Sequence, residues 1–75
     1  MDKSEVLAQV RRAMGPRAAR VVDVMWSDGG EDITLVLQRT DGEIRYCDNF
    51  TWEAVVDMHR RPSWDDLWAL VDEPD

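Results

Sequence analysis

The stretch "DITLVLQRTDGEIRYCD", residues 32–48, decides the fold. Its first half alternates: Ile33, Leu35 and Leu37 point one way, and Thr34, Val36 and Gln38 the other. That is the period-two pattern of a strand with one buried face. Asp41-Gly42 follows, a strong short-range hairpin signal, because a two-residue type I′ turn needs positive φ at both central positions. "EIRYCD" then returns with Ile44 and Tyr46 on one face. Two antiparallel strands are expected, over residues 32–39 and 43–48.

Toward the N-terminus, "RVVDVMWS" is rich in β-branched residues and predicts a strand over residues 20–27. Strict alternation would put Val22, Val24 and Trp26 on one face and Val21 and Met25 on the other. The intervening "SDGGED" reads as a turn. Connections this short exclude a parallel crossover, so the three strands form an antiparallel meander. Ahead of them, Val6, Leu7, Val10, Ala13 and Met14 recur at helical spacing and predict a helix over residues 3–14. Asp2 with Glu5 resembles a capping box, with Ser4 as a competing N-cap. Arg11 and Arg12 suit the negative end of the helix dipole, and Gly15-Pro16 stops it.

Beyond the hairpin, two phrases echo each other, "TWEAVVDM" from Thr51 and "SWDDLWAL" from Ser63. Thr51 and Ser63 read as N-caps, with acids in both first turns where the dipole favours them. Arg60, Arg61 and Pro62 close the first helix. Two helices are expected, over residues 51–60 and 63–72, and the echo marks two helix starts rather than a duplicated binding motif. In the second helix Trp64, Leu67, Trp68 and Val71 form one apolar stripe backed by acids. The predicted order is α-β-β-β-α-α, one α+β domain over residues 1–75. Its three-stranded antiparallel sheet is covered on one face by helices.

Hydrophobic residues at 44% and charged residues at 33% fit a folded domain rather than a disordered one. No apolar run approaches the roughly 20 residues of a membrane span, and "MDKSEVLAQVRRAM" is too charged for a signal peptide. The single Cys47 cannot form an intramolecular disulfide. A cytoplasmic location is expected.

Motifs for chemistry are sparse. Cys47 and His59 are the sole residues of their kinds, and His59 falls on the border of the apolar stripe of its helix. Zinc usually takes four Cys or His ligands, and the acidic turns lack the order of a calcium loop. With no phosphate loop or nucleophile elbow either, the expectation is a protein that is not an enzyme and carries no cofactor or metal. Arg11, Arg12, Arg17 and Arg20 could touch phosphates, but the chain is acidic overall and lacks an aromatic RNA-binding signature.

The net charge of −7 is unevenly spread: the first 25 residues sum to +2 and the rest to −9. Such a chain is drawn to basic surfaces. The expected function is binding and regulation, or inhibition, of a larger protein with a basic surface. In its sharpest form the carboxylates mimic nucleic acid against a DNA- or RNA-handling partner. By size and charge alone, this is the character of small anti-defence proteins of phages and mobile elements. The candidate partner-binding residues are Trp52, Asp57, Trp64, Asp65, Asp66, Asp72 and Glu73, with Asp75 beside them. Trp26 and Trp68 are assigned to the core, and one of Trp52 and Trp64 to the surface. The alternatives are a homodimer or fixed subunit of a bacterial complex, using its basic start and acidic end head to tail, and a small enzyme or ligand carrier.

Overall fold

The computed structural model describes residues 2–27, 29, 32–60 and 64–73, the side chains of Asn49 and His59 apart. Helix α1 spans Lys3–Met14. The Asp2 carboxylate accepts from the Ser4 N–H at 3.2 Å, so Asp2, not Ser4, is the cap. Val6, Val10 and Met14 are buried, at i, i+4 and i+8, with Leu7 and Ala13 partly buried beside them. Gly15 ends the helix at φ 59, a left-handed conformation suited to glycine. From there the chain runs on as a 3₁₀ segment, Gly15–Arg20, where the sequence pattern signals only a stop. Pro16 in its first turn tolerates that geometry because it needs no N–H partner.

Strands β1 (Val21–Met25), β2 (Asp32–Gln38) and β3 (Ile44–Thr51) form one antiparallel sheet in the order β1-β2-β3. Ile33, Leu35 and Leu37 are fully buried, on the face expected of them. The alternation expected for β1 fails. Val21 pairs with Leu37 and Asp23 with Val36, so Val22 is an extra residue at a bulge. The bulge shifts the side-chain phase by one, placing Val21 and Val24 together in the core and leaving Val22 exposed. A second irregularity sits opposite Thr34, where Asp48 and Asn49 face one residue of β2. It lets β3 continue to Thr51, three residues past its expected end, and brings Phe50 against the core.

The hairpin loop also differs from the type I′ turn. The Gly42 N–H donates to the Arg39 carbonyl at 3.0 Å, and the Arg39 N–H donates to the Glu43 carbonyl at 2.7 Å. The loop is therefore three residues, 40–42, with Gly42 at φ 92 in its last position. The Asp41 carboxylate accepts from the Glu43 N–H and pairs with Arg39, which favours this geometry over the two-residue turn. Of the "SDGGED" turn, residues 28, 30 and 31 lie outside the described residues.

Helix α2 is Trp52–Val56, followed by a 3₁₀ turn, Met58–Arg60, in place of one continuous helix. A 3₁₀ turn nearly eclipses i and i+3, and here both Val55 and Met58 are buried. The Gln9 side chain donates to the Val55 and Val56 carbonyls, satisfying acceptors that so short a helix leaves open. The Thr51 hydroxyl accepts from the Ala54 N–H at 3.1 Å. Thr51→Ala should therefore cost about 1 kcal/mol, and Thr51→Ser much less. A thermal melt checks this: equal midpoints for the two variants would deny the cap its role.

Helix α3 is Asp65–Val71. Ser63, Arg61 and Pro62 lie outside the described residues, and Trp64 occupies the N-cap position without a side-chain bond to the helix end. All three helices contribute to one core against the same face of the sheet.

Candidate interaction surfaces

The amphipathic stripe on α3 is core. Trp68 is 2% exposed and Trp64 8%, and Val71 is fully buried. The other two tryptophans, Trp26 and Trp52, are partly buried and meet edge to face at 5.1 Å between ring centres. Of the two tryptophans at helix starts, Trp52 is thus the one left partly at the surface. Trp26 borders the core rather than filling it.

What holds α3 down is an arginine brought from the other end of the chain. The Arg20 guanidinium lies 4.5 Å from the centre of the Trp68 ring. It donates to the Asp72 carboxylate at 2.5 Å and to the Gln38 carbonyl at 2.9 Å. Asp72 also accepts from the Thr40 N–H. Arg17 adds a looser contact, 5.8 Å from the Trp68 ring centre, and pairs with Asp65 at 2.8 Å. Arg20 above all, together with the Thr40 N–H, holds the Asp72 carboxyl below the usual carboxylate range. From β3, Arg45 donates to the Leu70 and Glu73 carbonyls at the end of the same helix.

The sequence-predicted partner residues are therefore dispersed. Trp64 is buried, Asp65 and Asp72 are in ion pairs with arginines of the 3₁₀ segment, and Asp57 pairs with Arg60 at 3.5 Å. Asp66 on α3 and Glu73 just past its end are exposed, and Trp52 lies against Trp26. Asp75 is outside the described residues. Two ion pairs, Arg17–Asp65 and Arg20–Asp72, join the basic start to the acidic end within one chain.

The opposite face of the sheet carries what the sequence pattern does not single out. By register, Asp23 and Met25 of β1, Asp32, Thr34, Val36 and Gln38 of β2, and Ile44, Tyr46 and Asp48 of β3 point away from the helices. Val36 is buried at the centre, yet Met25 is 40% exposed, Ile44 41% and Tyr46 64%. Ile44 and Tyr46 do share a face, as expected, but it is this outer one. Backbone donation from Val24, then Lys3 at 3.1 Å, lowers the Asp23 carboxyl below its usual range.

Cys47 looks the other way, half-buried against the core, and burial pushes its thiol up, opposite to what activates a nucleophile. The His59 side chain lies outside the described residues. Among the described residues no three His, Cys, Asp or Glu side chains gather as metal ligands, and no helix is long and apolar enough to cross a membrane. A depression of about 620 Å³ between α1 and Val56 is lined by Glu5, Gln9, Arg12 and Ala13. It holds no nucleophile and no pair of acids. Compared with known proteins, the chain matches no family model, no curated protein and no solved structure.

Proposed function

We propose that this is a non-catalytic acidic protein that binds a basic surface of a larger protein inside the cytoplasm and so regulates or inhibits it. The observation that supports this is how the charges are disposed. Lys3, Arg17, Arg20, Arg39 and Arg60 are paired with the chain's own carboxylates. Arg11 and Arg45 are turned onto main-chain carbonyls. Glu5, Asp32, Glu43, Glu53 and Glu73 remain exposed. Arg12 is an exposed cation, but the net −7 makes the field around the molecule negative. In its sharpest form, those carboxylates take the place of nucleic-acid phosphates on a DNA- or RNA-handling protein.

Capture of partners on the immobilised protein tests the reading. Bound protein should elute as salt rises from about 0.05 to about 0.5 M, because exposed charges are screened over that range. Heparin, a polyanion, should compete with the protein for its partner. Affinity indifferent to salt and heparin would sink the proposal.

A further inference from the structure

We propose that the partner docks on the outer face of the sheet, and that it presents an apolar patch rimmed by lysine or arginine. This rests on the acidic-binder reading and names the surface that serves it. Every helix packs on the other face, where Val21, Val24 and the inward residues of β2 are fully buried. Among the described residues no element covers the outer face, and Met25, Ile44 and Tyr46 are exposed around Val36. An exposed apolar centre of this kind, with a polar border, is the usual anatomy of a docking site, and tyrosine is among the residues most enriched at binding hot spots.

Charge selects the occupant. The described outer positions of the three strands hold Asp23, Asp32 and Asp48, and no lysine or arginine. Lys3 reaches Asp23 from α1, while Arg45, between Ile44 and Tyr46, is directed to the helix side, onto the Leu70 and Glu73 carbonyls. With Asp23 already matched by Lys3, a second copy of the chain, related by a two-fold axis, would still set an acidic face holding the exposed Asp32 and Asp48 against its own kind. A basic partner meets them with opposite charge. Beside the apolar centre, a depression of about 390 Å³ runs between Met25, Trp26, Asp32, Thr34 and Asp48. An aromatic wall beside the exposed Asp32 carboxylate suits the flat guanidinium or the long stem of one arginine or lysine.

The test uses the full chain, labelled with ¹⁵N, and a defined probe: a soluble peptide alternating lysine with leucine, titrated at low salt. Amide shifts are expected to gather on Met25, Thr34, Val36, Tyr46 and Asp48. Tyr46→Ser should weaken binding about tenfold, whereas Leu70→Ser, an equally exposed position on α3, should change it less than about twofold. Both side chains are largely exposed, and circular dichroism checks that each variant is folded. Salt-sensitive binding whose shifts gather on α3 would overturn the docking surface and leave the acidic binder standing. Failure of the peptide to bind anywhere would overturn both. Shifts on the outer face that depend on the protein's own concentration, without peptide, would assign the face to a second copy and overturn the proposed occupant.

Discussion

Trp68→Ala should leave the chain unfolded, or nearly so, at room temperature. Removing a buried tryptophan costs about 3–5 kcal/mol, counting lost transfer energy and the cavity left behind. A single core in a chain of this length supplies about the same net amount, about 3–5 kcal/mol. The ring is also the platform on which Arg20 stacks, so its loss releases that guanidinium from one of its three partners. Trp68→Phe separates the two contributions. The Trp68 indole N–H is buried without an acceptor among the described residues, so phenylalanine gives up no hydrogen bond and keeps an aromatic face. That variant should remain cooperatively folded at reduced midpoint. Trp52→Ala, at a half-buried ring that packs edge to face on Trp26, should cost less than Trp68→Ala. Urea titrations followed by circular dichroism rank the three. A Trp68→Ala variant melting within a few degrees of the parent would mean that α3 is dispensable to the core.

The same substitution bears on function. The sequence allows α3 to be read as a detachable acidic helix for a partner's groove, and deletion of residues 63–75 would then spare the rest of the domain. With Trp64, Trp68 and Val71 all in the core, that deletion should instead unfold it. The tryptophans are there because a short chain needs large side chains to bury enough area.

How far the sequence reveals this molecule depends on whether a feature is local. The alternation of β2, the i, i+4, i+8 face of α1, the Thr51 cap and the apolar stripe of α3 each follow from neighbours a few residues apart, and each is present as expected. The phase of β1 is not local in this sense. Nothing in "RVVDVMWS" distinguishes a regular strand from one bulged at Val22, because both leave a run of β-branched residues. The 3₁₀ segment has no apolar period, and its conformation is tied to the arginines it delivers. Those arginines find their carboxylates about fifty residues away, Arg20 with Asp72 at a separation of 52, a pairing no local pattern encodes. The outer face of the sheet is hidden from the sequence for a related reason. β2 carries apolar residues on both faces, Val36 among them, so alternation alone does not say that Ile44 and Tyr46 are left outside.

Arg20→Ala should be the most destabilising change available among the charged residues. The guanidinium stacks on Trp68, closes the end of β2 through the Gln38 carbonyl, and pairs with Asp72. Stacking and the carbonyl bond together are worth about 2 kcal/mol before anything is counted for Asp72. In a domain of this size that lowers the melting midpoint by roughly 8–16 °C. Arg20→Lys keeps the charge but not the flat, forked donor, so it should recover only the part due to Asp72. That part carries its own pH signature. The Asp72 carboxyl is held below its usual value in the folded state, so the stability it contributes is complete above the unfolded value of about 4 and fades as pH falls through the lowered folded value. Asp23, lowered in the same direction, shares this acid limb. The stability gap between the parent and Asp72→Asn should therefore stay level from about pH 8 to about pH 5 and close below about pH 4. A gap that persists at low pH would show that the amide introduced by Asp72→Asn disturbs packing rather than merely removing a charge. A gap absent at neutral pH would leave Arg20 clamping α3 through Trp68 alone.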